Sequence, residues 1–254
     1  MKLAWLNNLQ RLGRDAAATV CYPQQCVLCG GSVEARADGC VCAGCWRAAR
    51  IFDGTESCCG KCGALWPVTL APEMKAKARC HDCRQDSFSA ARAVGVYGGA
   101  LRAAVLALKR EPYLPARLGL ALAQVASRAP LTGVTRLIPV PLHETRRAAR
   151  GFNQAAIIGQ ALARQTGLPL DEVSLTRVSH TEYHRAGLDA KARRASVAQA
   201  FAVMRPRLLE KEIILLLDDV FTTGATVGAG AAALLAAGAA EVRVLTLARV
   251  VSGG

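Results

Sequence analysis

The sequence predicts an α/β protein, a largely parallel sheet with helices on both faces, preceded by a small cysteine-rich module. Three observations carry that prediction. All eleven cysteines of the 254-residue chain fall between Cys21 and Cys83. From Ala91 onward, apolar segments alternate between strand-like and helix-like patterns, the texture of βα units. Ile213 to Leu217 is a run of five aliphatic residues, the mark of a strand covered on both faces. Residues 1–20 read as a helical lead-in, 21–86 as the cysteine module and 87–254 as the α/β domain.

Within the α/β domain each element has its own signal. Ala93 to Tyr97 reads as a strand, and Leu101 to Lys109 sets Leu101, Val105 and Leu108 on one helical face. Leu118 to Val125 continues as helix, and Leu137 to Val140 is a short strand entering a loop. Asn153 to Gln165 is a helix closed by Thr166 and Gly167. After Ile213–Leu217 comes a Thr/Gly loop, an Ala-rich helix to about Ala236, a stop at Gly238 and a last strand at Val242 to Leu247.

The first 86 residues are punctuated by Gly and lack sustained apolar periodicity, so burial alone does not hold them together. Their cysteines form four CxxC pairs: Cys26/Cys29, Cys42/Cys45, Cys59/Cys62 and Cys80/Cys83. Twelve residues separate the first two pairs and seventeen the last two. A two-residue spacer folds a tight turn that aims two thiolates at one ion, and two such turns complete a tetrahedron, so the spacing predicts two structural zinc ions. Gly30 and Gly63 suit those turns. Sequential pairing is favoured over an interleaved one, and His81 is an alternative ligand. A disulfide framework would need an oxidising compartment. Cys21, Cys40 and Cys58 are left over, and Cys58 beside Cys59 leaves the ligand register open by one.

Thirty-two Lys and Arg against nineteen Asp and Glu give a formal +13, a balance that favours nucleic acid, phosphate ligands or anionic surfaces. Eight thiolates on two Zn²⁺ ions would lower the working charge to about +9. The uncharged window Val220 to Ala240 is long enough to span a bilayer, but its Gly, Thr and Ala content and the Asp218–Asp219 pair before it argue against a span. At the N-terminus, Asn7 and Asn8 cut the apolar run short of secretory length, and the expected location is the cytoplasm.

The most informative stretch runs from Ile213 through Asp218, Asp219, Val220, Phe221, Thr222, Thr223, Gly224 and Ala225 to Thr226. A buried strand delivers two carboxylates and a Thr/Gly turn to its C-terminal end, where open α/β sheets place their ligands. Backbone N–H groups at the helix start, with the hydroxyls of Thr222, Thr223 and Thr226, suit a phosphate, and Gly224 lets the backbone approach it closely. Adjacent carboxylates suit ribose hydroxyls or Mg²⁺. The stretch is neither a Walker loop nor a Rossmann GxGxxG. It resembles the phosphoribosyl-pyrophosphate loop of type I phosphoribosyltransferases.

The same domain holds Pro139-Val140-Pro141-Leu142-His143, then Arg146 to Arg150 and Gly151-Phe152-Asn153-Gln154, with Leu108-Lys109-Arg110 ahead of them. Together with the cysteine pairs and the Asp218–Thr226 loop, this order resembles the ComF family of competence-associated, phosphoribosyltransferase-like proteins over nearly the whole chain. The resemblance implies a type I phosphoribosyltransferase-like sheet behind a double zinc ribbon. It implies that phosphoribosyl pyrophosphate with Mg²⁺ rests its 5′-phosphate on Thr222, Thr223, Gly224, Ala225 and Thr226 and its ribose hydroxyls on Asp218 and Asp219. Pro141, Leu142 and His143 would form the pyrophosphate loop, and Glu144 to Arg150 a mobile segment closing over it, with Arg147 and Arg150 contacting the leaving group. The family's later segment reads differently here: His184 and Ser196 take places usually held by Gln and Asn, beside Thr181 and Leu188.

The implied chemistry is pentosyl transfer, with pyrophosphate departing toward Arg150 and an acceptor, which no residue set specifies, attacking the anomeric carbon. Asp218, Asp219 and Arg150 are the candidate catalytic residues. Two other readings keep the motifs: a competence factor that handles single-stranded DNA during natural transformation, with competence proteins as partners, and a non-catalytic sensor of phosphoribosyl pyrophosphate. The low aromatic content, 5%, gives single-strand stacking little support.

Overall fold

Aliphatic runs without a polar face form the centre of a sheet covered on both sides. The computed structural model describes residues 24–66, 79–178 and 200–251. Its strands are β1 (Ala90–Val96), β2 (Arg136–Pro139), the short pair β3 (Leu175–Arg177) and β4 (Phe201–Val203), β5 (Ile213–Phe221) and β6 (Glu241–Arg249). The main sheet runs β1-β6-β5-β2 and every pairing in it is parallel. β3 and β4 pair antiparallel as a separate ribbon. Residues 1–20, expected as a helical lead-in, and Cys21, Thr181, His184, Leu188 and Ser196 lie outside the described residues.

The helices are α1 (Ala43–Arg47), α2 (Gly99–Leu108), α3 (Ala116–Ala126), α4 (Glu144–Arg150), α5 (Gln154–Thr166) and α6 (Ala225–Ala236). Alternation along the strands divides the core between the two faces of the sheet. Leu215, Leu217, Leu245 and Leu247 pack with Leu101, Leu118, Leu122 and Leu162 of α2, α3 and α5. Ile214, Leu216, Val242 and Val244 pack with Ala231 and Leu234 of α6 and with Leu175 and Phe201 of the ribbon.

Among the described residues, the cysteine-bearing part has no core of its own and contributes to both of these. Val33, Val41 and Trp46 join the α2/α3 face, where the Trp46 indole donates to Asp38 O at 2.9 Å. Cys59, Cys62, Cys83 and Phe88 join the α6 face. The segment between the two cysteine units runs along the free edge of β1, with Phe52 N donating to Val94 O at 2.8 Å and Val96 N to Arg50 O at 2.9 Å. A Cβ on Gly95 would collide with Arg50 O and Leu101 there, so this close approach requires glycine.

One expectation shifts. β5 continues four residues beyond Leu217, through both acids to Phe221, because β6 accompanies it as far as the Phe221/Arg249 register. Asp218, paired with Thr246, and Asp219 therefore lie within the strand and on opposite faces of it, not in a loop. Among the described residues no helix is long and apolar enough to cross a membrane.

Candidate functional site

Two strand ends and the turns that follow them meet at the C-terminal edge of the sheet. β5 leads through Thr222 and Thr223 into α6, whose N-cap is Gly224 at φ 79°. No side chain of Gly224 can cap the helix, and Thr223 Oγ1 accepts from Ala225 N at 3.4 Å. This is the predicted strand–turn–helix, with N–H groups and a macrodipole aimed at the position an anion would take.

Beside β5, β2 ends at Pro139, in register with Leu217, and continues into Val140-Pro141-Leu142-His143. His143 caps α4: its Nδ1 accepts from Thr145 N at 3.3 Å and lies 2.9 Å from Thr145 Oγ1. Asn153 ties this turn to α5, accepting from Ala155 N at 3.1 Å and donating to Val140 O at 3.0 Å. That dual role explains the Asn of the Gly151–Gln154 motif. The segment Glu144–Arg150 is a solvent-facing helical stretch ended by Gly151 at φ 80°. Arg147 is exposed on it, and Arg150 Nη1 donates to Oε1 of the buried Gln154 at 2.7 Å.

The two acids differ in their surroundings. Asp219 faces Lys109, with Nζ to Oδ2 at 3.4 Å, and Asp218 Oδ1 accepts from Asp219 N at 2.9 Å. Burial, and then the negative charge of Asp219, push the Asp218 carboxyl up to about 8; the Asp219 N–H, Lys109 and Arg177 oppose that rise. Sequence reasoning gave no site role to Lys109 or Arg177. Lys109 was visible only as part of a family motif, and the placement of Arg177 depends on the β3–β4 ribbon.

The cysteines assemble in sequential pairs. Cys26, Cys29, Cys42 and Cys45 form one set and Cys59, Cys62, Cys80 and Cys83 the other, all Sγ atoms of a set lying within 4.8 Å of one another. A tetrahedron with Zn–S near 2.3 Å has edges of about 3.8 Å. The contacts Cys29/Cys42 at 3.7 Å, Cys59/Cys83 at 3.6 Å and Cys62/Cys80 at 3.5 Å approach that size. Each set could hold a zinc ion, and four protein ligands leave no position for substrate. The leading turns share one hydrogen-bond plan. Cys26 N donates to Gly31 O and Gly30 N to Cys26 O; Cys59 N donates to Ala64 O and Gly63 N to Cys59 O. Cys58 stands outside the second set, and His81 is exposed next to Asp82.

The second set lies beside the β5–α6 turn. A cleft of about 530 Å³ separates them, bounded by Trp66, Asp82 and Asp86 on one side and Thr222, Thr223 and Arg249 on the other. Arg249 Nη1 donates to Cys62 O at 2.6 Å and its guanidinium sits 4.5 Å over the Phe221 ring.

Comparison with known proteins adds to this geometry. Residues 149–253 match the family model described as phosphoribosyl transferase domain. Over 236 residues the chain is 30% identical to Competence protein F of Haemophilus influenzae, covering 89% of this chain and 96% of that one. It is 32% identical over 217 residues to the DNA utilization protein YhgH of Escherichia coli O157:H7, covering 82% and 90%. Among solved structures, the glutamine phosphoribosylpyrophosphate amidotransferase from B. subtilis complexed with ADP and GMP aligns with a TM-score of 0.34 at 21% identity, over 51% of this chain. The chain spans 25% of the length of that structure.

Proposed function

The chain belongs to the family of Competence protein F and the DNA utilization protein YhgH, with a phosphoribosyl transferase domain, and from that premise we propose that it binds phosphoribosyl pyrophosphate with Mg²⁺ at the C-terminal edge of the sheet and transfers the phosphoribosyl group to an acceptor. The observation that carries the proposal is the β5–α6 connection: two acids lie near the C-terminal end of β5, which leads from Phe221 through Thr222 and Thr223 to a helix start capped by Gly224. Turn N–H groups and Thr hydroxyls hold the 5′-phosphate, and Asp218 and Asp219 accept from the ribose hydroxyls. Carboxylates of this kind suit Mg²⁺ carried by a diphosphate, which supplies charge neutralisation of the leaving group.

Arg147 and Arg150, with the Pro141–His143 turn, receive the departing pyrophosphate, on which negative charge builds as the glycosidic bond breaks. The protein's contribution is positioning and electrostatic stabilisation, with no covalent enzyme intermediate. Each tetrathiolate set holds zinc as a structural element, Cys26, Cys29, Cys42 and Cys45 in one and Cys59, Cys62, Cys80 and Cys83 in the other.

The relatives' names extend the reading to a role in DNA uptake and use, supported by the +13 formal charge. Calorimetric titration of the zinc-loaded protein with phosphoribosyl pyrophosphate and Mg²⁺ tests the core proposal. Micromolar binding lost in the double variant Asp218→Asn, Asp219→Asn is expected; unchanged binding in that variant would overturn the site. Turnover with candidate acceptors separates an enzyme from a sensor, and steeply salt-dependent binding of single-stranded DNA by the non-binding double variant would mark the DNA role as independent.

A further inference from the structure

We infer that Arg249 and Asp86 are positioning residues that couple the metal state of the second cysteine unit to the conformation of the Thr222–Thr226 turn, an inference that rests on reading that turn as the phosphate site. Two separate routes join the unit to the turn.

The first runs through Arg249, the last residue of β6 and the register partner of Phe221. Its Nη1 donates to Cys62 O at 2.6 Å and its Nη2 lies 3.8 Å from Cys62 Sγ. The same guanidinium sits 4.5 Å over the Phe221 ring. Phe221 in turn defines the space at Gly224, where an added Cβ would come within 2.9 Å of its Cζ. Phe88, which follows the unit in the chain, braces Phe221 from the side in an edge contact at 6.0 Å.

The second route runs through Asp86. Its N–H donates to Cys83 O at 3.2 Å and its carbonyl accepts from Lys61 Nζ at 2.7 Å, so both CxxC turns of the unit fix it. Its carboxylate lies against the first turn of α6, where a Cβ on Gly224 or on Gly228 would meet a carboxylate oxygen at 3.3 Å. The helix start that would hold the phosphate is therefore gripped from one side by Phe221 and from the other by Asp86.

Charge gives the coupling its dependence on metal. Four thiolates around one Zn²⁺ carry a net −2, and Arg249 has no carboxylate partner among the described residues; its acceptors are Cys62 O and the Cys62 sulfur. A metal-loaded unit holds the guanidinium over Phe221. Loss of the metal would untie the two CxxC turns from each other and so release both Arg249, held at Cys62, and Asp86, held at Cys83 and Lys61.

Hydrogen exchange of the 222–228 amides, read on the metal-loaded protein without ligand, tests the coupling directly, alongside calorimetry with phosphoribosyl pyrophosphate and Mg²⁺. Arg249→Gln and Asp86→Ala, each verified to retain two zinc ions per chain, are expected to speed exchange in that segment and to weaken binding by about tenfold. Arg249→Lys, which keeps a cationic donor to Cys62 O, should recover part of the loss. Exchange and affinity within about twofold of wild type in both variants would overturn the coupling.

If either variant loses zinc, a ligand comparison decides instead. Cys80→Ser in the second unit should speed exchange at 222–228, whereas Cys29→Ser in the first unit should leave it unchanged; equal effects from both would overturn the coupling. Because exchange is read without ligand, a wild type that fails to bind phosphoribosyl pyrophosphate would remove the phosphate reading while the exchange comparison still judges the coupling.

Discussion

Lys109, at the C-terminal end of α2, and Asp219, in β5, meet as an ion pair of 3.4 Å at the same sheet edge that carries the Thr222–Thr226 turn. The pair brings a cation to the base of the candidate site, where it stabilises two adjacent carboxylates that otherwise repel. Its exposure is uneven, 36% for the lysine and 19% for the aspartate, so solvent discounts its strength.

Lys109→Gln should therefore cost only about 0.5 kcal/mol of stability at neutral pH. Its larger effect is on Asp218, which loses a neighbour that favours the ionised form. The carboxyl ¹³C shift of Asp218, followed against pH, should give a midpoint above the wild-type one. A midpoint that moves down would contradict the placement of the lysine.

Asp218 also makes stability depend on pH. Its carboxyl is raised from 3.8 to about 8 in the folded chain, so the native state holds a proton that the unfolded chain has released. The stability linked to that proton is fully present below about pH 4 and is lost as pH rises through about 8. Asp218→Asn should match wild type in thermal melts near pH 4 and exceed it by a few degrees near pH 8, at the expense of ligand binding. Parallel melting curves for the two proteins across that window would refute the assignment.

Gly224 should tolerate no side chain. Its φ of 79° strains any L-residue, and an added Cβ would press on Phe221 Cζ at 2.9 Å. Gly224→Ala is expected to cost about 1–2 kcal/mol and to weaken phosphoribosyl pyrophosphate binding. Gly98→Ala is the control, since its backbone is extended and nothing lies within 4 Å of a new Cβ; its melting temperature should stay close to wild type.

Metal analysis should find two zinc ions per chain in wild type. Cys29→Ser and Cys80→Ser should each lower the content to one, and Cys58→Ser should retain both, because Cys58 lies outside the four-sulfur sets. Chelation should unfold the cysteine units and lower the melting temperature of the whole chain, since Trp46 and Phe88 bury against the sheet. A Cys58→Ser protein short of one zinc would show that the second set is drawn from the wrong register.

Local pattern made much of this fold legible. The aliphatic run at Ile213–Leu217 marked the central strand, the CxxC spacings marked the sulfur sets, and Asn153 announced the start of α5. The extension of β5 through Asp218 and Asp219 was not legible, because charged residues interrupt the apolar pattern at the point where β6 still provides ladder partners. β3 and β4 are three residues each, too short for periodicity to register. Lys109, Asp86 and Arg249 come to the site from separate parts of the chain, and only the crossing of elements brings them together. The apolar residues of the cysteine module looked insufficient for a core because they belong to two cores shared with the sheet.

The strand order carries a consequence for how the chain is made. β1 is synthesised well before its partner in the main sheet, β6, so Ala90 must wait for Arg243 before its ladder can close. Long-range parallel pairing of this kind forms slowly and leaves edges open to association with other chains. Arg50 and Phe52 already line the other edge of β1, supplied by residues that leave the ribosome before it. The segment between the two sulfur sets thus acts as an early companion for a strand whose final neighbour arrives much later, and nascent chains starved of zinc should aggregate at this stage, before the C-terminal edge of the sheet exists.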